Sequence, residues 1–133
     1  MTQKDKELLL KDLCARLPYN TKVFFSIIEE DEPVELSLSV IRCLESIPLG
    51  QNDIVIKSYL RPMSSMTEEE KRQYRELCDE DIRQLIYVQT VHPGLKYKTS
   101  CHRSIDWLNE HHFDYRGLIE KGLALKAPEG MYN

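Results

Sequence analysis

Thr67-Glu68-Glu69-Glu70 opens a run that meets no proline or glycine until Pro93. A threonine three residues before a glutamate is a capping box: its hydroxyl accepts from the glutamate amide while the carboxylate reaches back. Three acids in the first turn also suit the positive end of a helix dipole. Tyr74, Leu77, Cys78, Ile82, Leu85 and Ile86 then recur at helical spacing. Glu68/Arg72, Arg72/Glu76, Arg75/Asp79 and Asp79/Arg83 are opposite charges four residues apart, which support a solvated helical face. The pattern predicts a helix over 67–90, stopped by His92-Pro93-Gly94. At about 1.5 Å per residue it is roughly 36 Å long, and its apolar stripe must find cover.

A second amphipathic helix is expected over 3–16, from the Thr2/Asp5 capping pattern and Leu9, Leu10, Leu13, Cys14 and Leu17. Pro18 closes it. Residues 22–28 are β-branched and aromatic and predict a strand. After the polar break at 29–33, Val34, Leu36, Leu38 and Val40 alternate with Glu35, Ser37 and Ser39, which predicts a half-buried strand over 34–40. The two runs make an antiparallel hairpin. Residues 42–47 extend it as a short third strand, 48–53 turn, and Ile54 to Tyr59 form another strand. Residues 95–101 suit a short extended piece. Ser104 is placed to cap a helix over 105–112 that buries Ile105, Trp107 and Leu108, and Asp114 to cap a further short helix through Leu118 and Ile119, ended by Gly122. Leu123 to Ala127 are apolar enough to pack back, leaving 128–133 as a tail.

These elements define an α+β fold: a small antiparallel sheet of three to four strands, open to an SH3-like arrangement, with an N-terminal helix, one long central helix and two short C-terminal helices. The 133 residues suit one domain, with the helix and sheet in 1–62 and the helical part of 63–133 packed on them. Hydrophobic residues make up 41% and charged residues 30%, which argues against disorder. No apolar run reaches the ~20 residues of a membrane span, and Leu8-Leu9-Leu10 is too short for a signal peptide core. The expectation is a cytoplasmic protein with no membrane association. Cys14, Cys43, Cys78 and Cys101, widely and irregularly spaced, are then reduced and mostly buried.

Three stretches carry a resemblance: Lys6-Glu7-Leu8-Leu9-Leu10-Lys11-Asp12-Leu13-Cys14-Ala15-Arg16-Leu17-Pro18-Tyr19, Tyr59-Leu60-Arg61-Pro62-Met63-Ser64-Ser65-Met66-Thr67-Glu68-Glu69-Glu70, and Phe113-Asp114-Tyr115-Arg116-Gly117-Leu118-Ile119-Glu120-Lys121-Gly122-Leu123-Ala124. Together, over about a third of the chain, they resemble a family of small uncharacterised proteins carried by gut bacteria and their prophages. The resemblance implies a small cytoplasmic accessory protein of mobile-element origin, and offers no activity, catalytic residue or cofactor to carry across.

The chemical candidates are few. Between Ile82 and Ile105 there is no acid, while Arg83, Lys96, Lys98 and Arg103 stand among Tyr87, Tyr97, His92 and His102. Lys96, Tyr97, Lys98 and Arg103 are the candidate nucleic-acid contacts, since cations hold phosphates and aromatic rings stack on bases. An ordinary exposed strand with solvated lysines explains the same residues, and the net charge of −4 favours it. Cys101, His102, His111 and His112 are zinc-ligand types without zinc-ligand spacing, so no metal is expected. Cys101-His102 is weak evidence for nucleophilic catalysis, because catalytic partners meet in space. Neither G-x-G-x-x-G nor G-x4-G-K-[ST] occurs. Trp107 is of an interface-anchor type, but with Ile105 and Leu108 beside it core packing explains it better. No catalytic residue, cofactor or metal is assigned. The expected function is a non-enzymatic interaction protein that binds another protein or a second copy of itself, with nucleic-acid binding and an enzyme of unfamiliar site as alternatives.

Overall fold

Thr2 caps the first helix as its sequence requires: the Asp5 amide donates to the Thr2 hydroxyl at 3.1 Å, and the Thr2 amide to the Asp5 carboxylate at 3.1 Å. Helix α1 runs Gln3–Arg16 and passes into a 3-10 turn at Leu17–Tyr19. Strands β1 (Lys22–Phe25) and β2 (Val34–Glu35), helix α2 (Leu38–Ser46), strand β3 (Ile56–Leu60), helices α3 (Glu68–Val91) and α4 (Arg103–Glu110) and strand β4 (Ala124–Lys126) follow. The computed structural model describes residues 1–27, 32–48, 54–91 and 103–132. The expected extended piece at 95–101 lies outside them, as do most of the 29–33 break and of the 48–53 turn.

The architecture is α+β, with four α-helices and a four-stranded sheet among the described residues. Strand order is β2-β1-β3-β4. The hairpin survives in shortened form: β1 and β2 pair antiparallel, Lys22 opposite Glu35 and Val23 opposite Val34. β1 and β3 are also antiparallel, with Phe24 opposite Lys57. The expectation of a wholly antiparallel sheet fails at β4, which runs parallel to β3 with Tyr59 opposite Leu125. Parallel strands need a long crossover, and the α3–α4 stretch between β3 and β4 supplies it.

The strand expected over 34–40 ends at Glu35, and the short strand expected over 42–47 is helix. Leu36 and Val40 are buried and fit either period, but Leu38 decides between them. A strand would bury it, and it is 52% exposed. Val40, Ile41 and Leu44 share one buried helical face, and Ser37, a favoured N-cap type, stands just before the helix. The short helix expected after Asp114 is a series of turns, because Gly117 at φ +71° cannot continue a right-handed helix. Asp114 still caps that segment, accepting from the Leu118 and Ile119 amides at 2.8 and 3.0 Å. Gly122 is left-handed as expected, at φ +73°.

Two apolar clusters result. In the first, Leu9 and Leu13 of α1, Ile41 and Leu44 of α2, Val23, Ile56 and Leu60 of the sheet, and Leu118 and Leu123 pack together. In the second, Met66, Trp107, Leu108 and Phe113 are flanked by Tyr74 and Leu77 of α3. The α4 N-terminus is held by Asp81 of α3, whose carboxylate accepts from the Ser104 amide at 3.0 Å and hydroxyl at 2.6 Å. Ser104 is therefore bound to a carboxylate rather than acting as the cap. Cys14, Cys43 and Cys78 are free thiols as expected, but their burial departs from expectation: Cys14 is exposed, and Cys43 and Cys78 are half-buried. No helix among the described residues is long and apolar enough to cross a membrane.

Candidate functional site

Of the candidate nucleic-acid contacts, Lys96, Tyr97 and Lys98 lie outside the described residues. Arg103 begins α4, and its side chain donates to Glu80 of α3 at 3.3 Å. Its amide donates to Asp81 at 3.3 Å. The acid-free window in sequence is thus faced in space by acids from the preceding helix, at least at its Arg103 end. Cys101 and His102 also lie outside the described residues. His111 and His112, adjacent in sequence, part company: the His111 ring stacks on Trp107 at 4.1 Å, the His112 ring on Tyr132 at 3.7 Å.

Two surfaces stand out. The first is the end of α3. Its early turns bury Tyr74 and Leu77 in part against α4. Its late turns bury much less: Ile82, Leu85, Ile86, Tyr87 and Val91 are 55, 45, 60, 61 and 47% exposed. The stripe read in the sequence is therefore covered at one end and bare at the other. With a turn of about 100° per residue, Ile82, Leu85 and Ile86 lie on one side, Tyr87 and Val91 on the opposite side.

The second is a cleft of about 590 Å³ between the 61–67 connector and the C-terminal segment, lined by Arg61, Thr67, Glu70, His111, Lys126 and Tyr132 among others. Arg61 donates through both terminal nitrogens to Glu70, at 2.8 and 2.7 Å, while its guanidinium lies 4.2 Å from the centre of the Phe113 ring. Arg61 and the Thr67 amide hold the Glu70 carboxyl down to about 2. Nδ1 of His111 lies 2.9 Å from the Trp107 carbonyl. A carbonyl only accepts, so Nδ1 carries a proton. The Tyr132 hydroxyl is fully used: it accepts from the Lys22 amide at 2.8 Å and donates to the Tyr59 carbonyl at 2.7 Å. Burial pushes it up to about 12.

A third feature is a buried ionic group. Asp12 and Arg16 of α1 are both fully buried. Arg16 Nε donates to Asp12 at 2.8 Å and its Nη2 to the Phe113 carbonyl at 2.6 Å. Arg116 reaches the other Asp12 oxygen at 2.6 Å, and the Tyr115 ring contacts both guanidinium groups. This group ties α1 to the 113–116 segment.

Comparison with family models, with curated proteins and with solved structures returned no match for this chain. Sequence reasoning passed over Arg61, Lys126 and Tyr132. The Arg61–Glu70 pair carries no periodic signal, since its members belong to a connector and a helix cap. Exposure of Ile82 and Ile86 was equally hidden, because a helical stripe looks the same whether or not a neighbour covers it.

Proposed function

We propose that the protein is a non-enzymatic interaction module that presents the last turns of α3 to a partner protein carrying an apolar groove. The observation that supports this reading is the exposure of five large apolar side chains on both sides of one helical segment. Five half-exposed chains of this size offer roughly 500 Å² of apolar surface. Patches of a few hundred Å² or more on soluble proteins mark interaction sites. A second copy laid against the helix would cover one side only, leaving an interface well under the ~1,200 Å² of stable complexes. A groove that takes the helix in from two sides covers Ile82, Ile86, Tyr87 and Val91 together, the helix-in-groove mode of recognition. Nucleic-acid binding has weaker support, since Arg103 is committed to Glu80 and Asp81.

The test compares wild type with Ile86→Glu, and with Leu38→Glu as a control on a distant exposed leucine. A host protein retained by wild type and the control but not by Ile86→Glu is expected, and in the purified complex hydrogen exchange slows over 82–91. Equal retention by all three, or protection elsewhere, refutes the reading. Light scattering is expected to report a monomer. A dimer dissolved by Ile86→Glu would give the surface to a second copy and overturn the groove.

A further inference from the structure

We propose that the cleft bordered by Arg61, Thr67, His111, Lys126 and Tyr132 binds a small organic oxyanion, a phosphate monoester or carboxylate on a ring-sized body. This is independent of the α3 surface. The volume, about 590 Å³, falls in the range of small-molecule sites, roughly 300–1,000 Å³, and far exceeds what a bare inorganic ion fills.

The polar groups of the lining are mostly donors. A guanidinium has five N–H groups, and the two given to Glu70 leave Arg61 with three. That pairing also holds the side chain in one orientation, so little order remains to be imposed on binding. Lys126 is exposed and forms no ion pair among the described residues. The Thr67 oxygen accepts from the Glu70 amide at 3.2 Å, which leaves its own proton to give. The acceptors are already occupied or few: Glu70 is spent on Arg61 and on the Thr67 amide, and Glu129 is the one other carboxylate among the described lining residues. The unspent donors are satisfied by a ligand rich in acceptors, and Lys126, the lining cation outside the Arg61–Glu70 pair, favours an anionic one. Much of the rest of the lining is apolar, with Pro62, Ala127 and Pro128. Tyr132, its hydroxyl occupied, offers only its ring, and His111 is backed by Trp107. Such surfaces take a ring-shaped ligand body.

The probes are phenyl phosphate and benzoate, titrated into the intact protein while the His111 ring signals are followed by NMR. At least one is expected to shift them saturably, and the stronger binder names the acidic group. Lys126→Gln is expected to weaken that binding about tenfold, the loss of one charge-assisted contact. Glu129→Gln removes the opposing charge and is expected to tighten it. Trp107 fluorescence checks that each variant retains its fold. Absence of a His111 response to both probes overturns the proposal. So does undiminished affinity in Lys126→Gln, or, should that variant misfold, affinity that does not rise in Glu129→Gln.

Discussion

The Asp12–Arg16–Arg116 group and the end of α3 break the same rule in opposite directions. One buries Asp12 and Arg16 fully, beside an Arg116 that is 16% exposed; the other places isoleucines where water reaches them. In the first case most of the violation is compensated within the fold, with Arg16 Nη1 alone left without a hydrogen-bond partner. Both Asp12 oxygens accept from arginines, and Arg16 spends a further nitrogen on the Phe113 carbonyl. In the second, Ile82 and Ile86 remain 55 and 60% exposed. A buried ion pair that is well bonded belongs to the architecture, whereas an exposed apolar side chain that nothing covers points outward to something else.

The largest expected effect comes from breaking the buried group. Asp12→Ala leaves two guanidinium groups facing each other without their carboxylate, and losing one partner of a buried pair costs about 3–5 kcal/mol. Chemical denaturation measures it. Asp12→Leu combined with Arg16→Met, which removes charge from both sides, is expected to recover much of that loss. If the single and double variants are equally unstable, the group's role is shape rather than charge.

Acid attacks the same region through His112. Burial, with Arg16, His111 and Arg61 nearby, pulls its imidazole down to about 4. The unfolded chain takes that proton near 6.5, so between those values the unfolded state binds more protons. The stabilisation is complete above pH ~6.5 and drains as the pH falls towards 4, by up to about 3 kcal/mol. His112→Asn keeps a residue that tolerates the observed φ of +64° and is expected to flatten this slope. Tyr132→Phe follows in size. It strips the Lys22 amide and the Tyr59 carbonyl of their shared hydroxyl, at a cost of about 1–3 kcal/mol.

What the sequence disclosed divides by distance along the chain. The starts of α1 and α3 were legible because a capping box joins residues three apart. The Leu38 segment was misread because alternation over 34–40 and a helical repeat through Leu36, Val40 and Leu44 share positions. β4 was legible as a segment that packs back, but not as a parallel strand, since direction depends on the path of the crossover. Of the buried ionic group only the Asp12/Arg16 spacing of four is local; its burial rests on distant partners, since Arg16 meets Phe113 across 97 residues and Arg116 meets Asp12 across 104. Read alone, each of those charges looks like one more solvated side chain. Arg61 was passed over for the same reason, its partner lying on another element.

The smallest effect on stability is expected where the effect on function is greatest. Ile86 is 60% exposed, so Ile86→Glu removes little packing, and surface changes of this kind usually stay within about 0.5 kcal/mol. A thermal melt of the isolated variant should overlay that of the wild type. Solubility should rise, because a charge interrupts the apolar surface. The same substitution at the fully buried Leu13 of α1 would unfold the chain. If Ile86→Glu also destabilised the isolated protein by several kcal/mol, Ile86 would belong to the fold's own core. The contrast between a largely bonded interior and an uncovered apolar surface would then disappear, and the partner-binding reading with it.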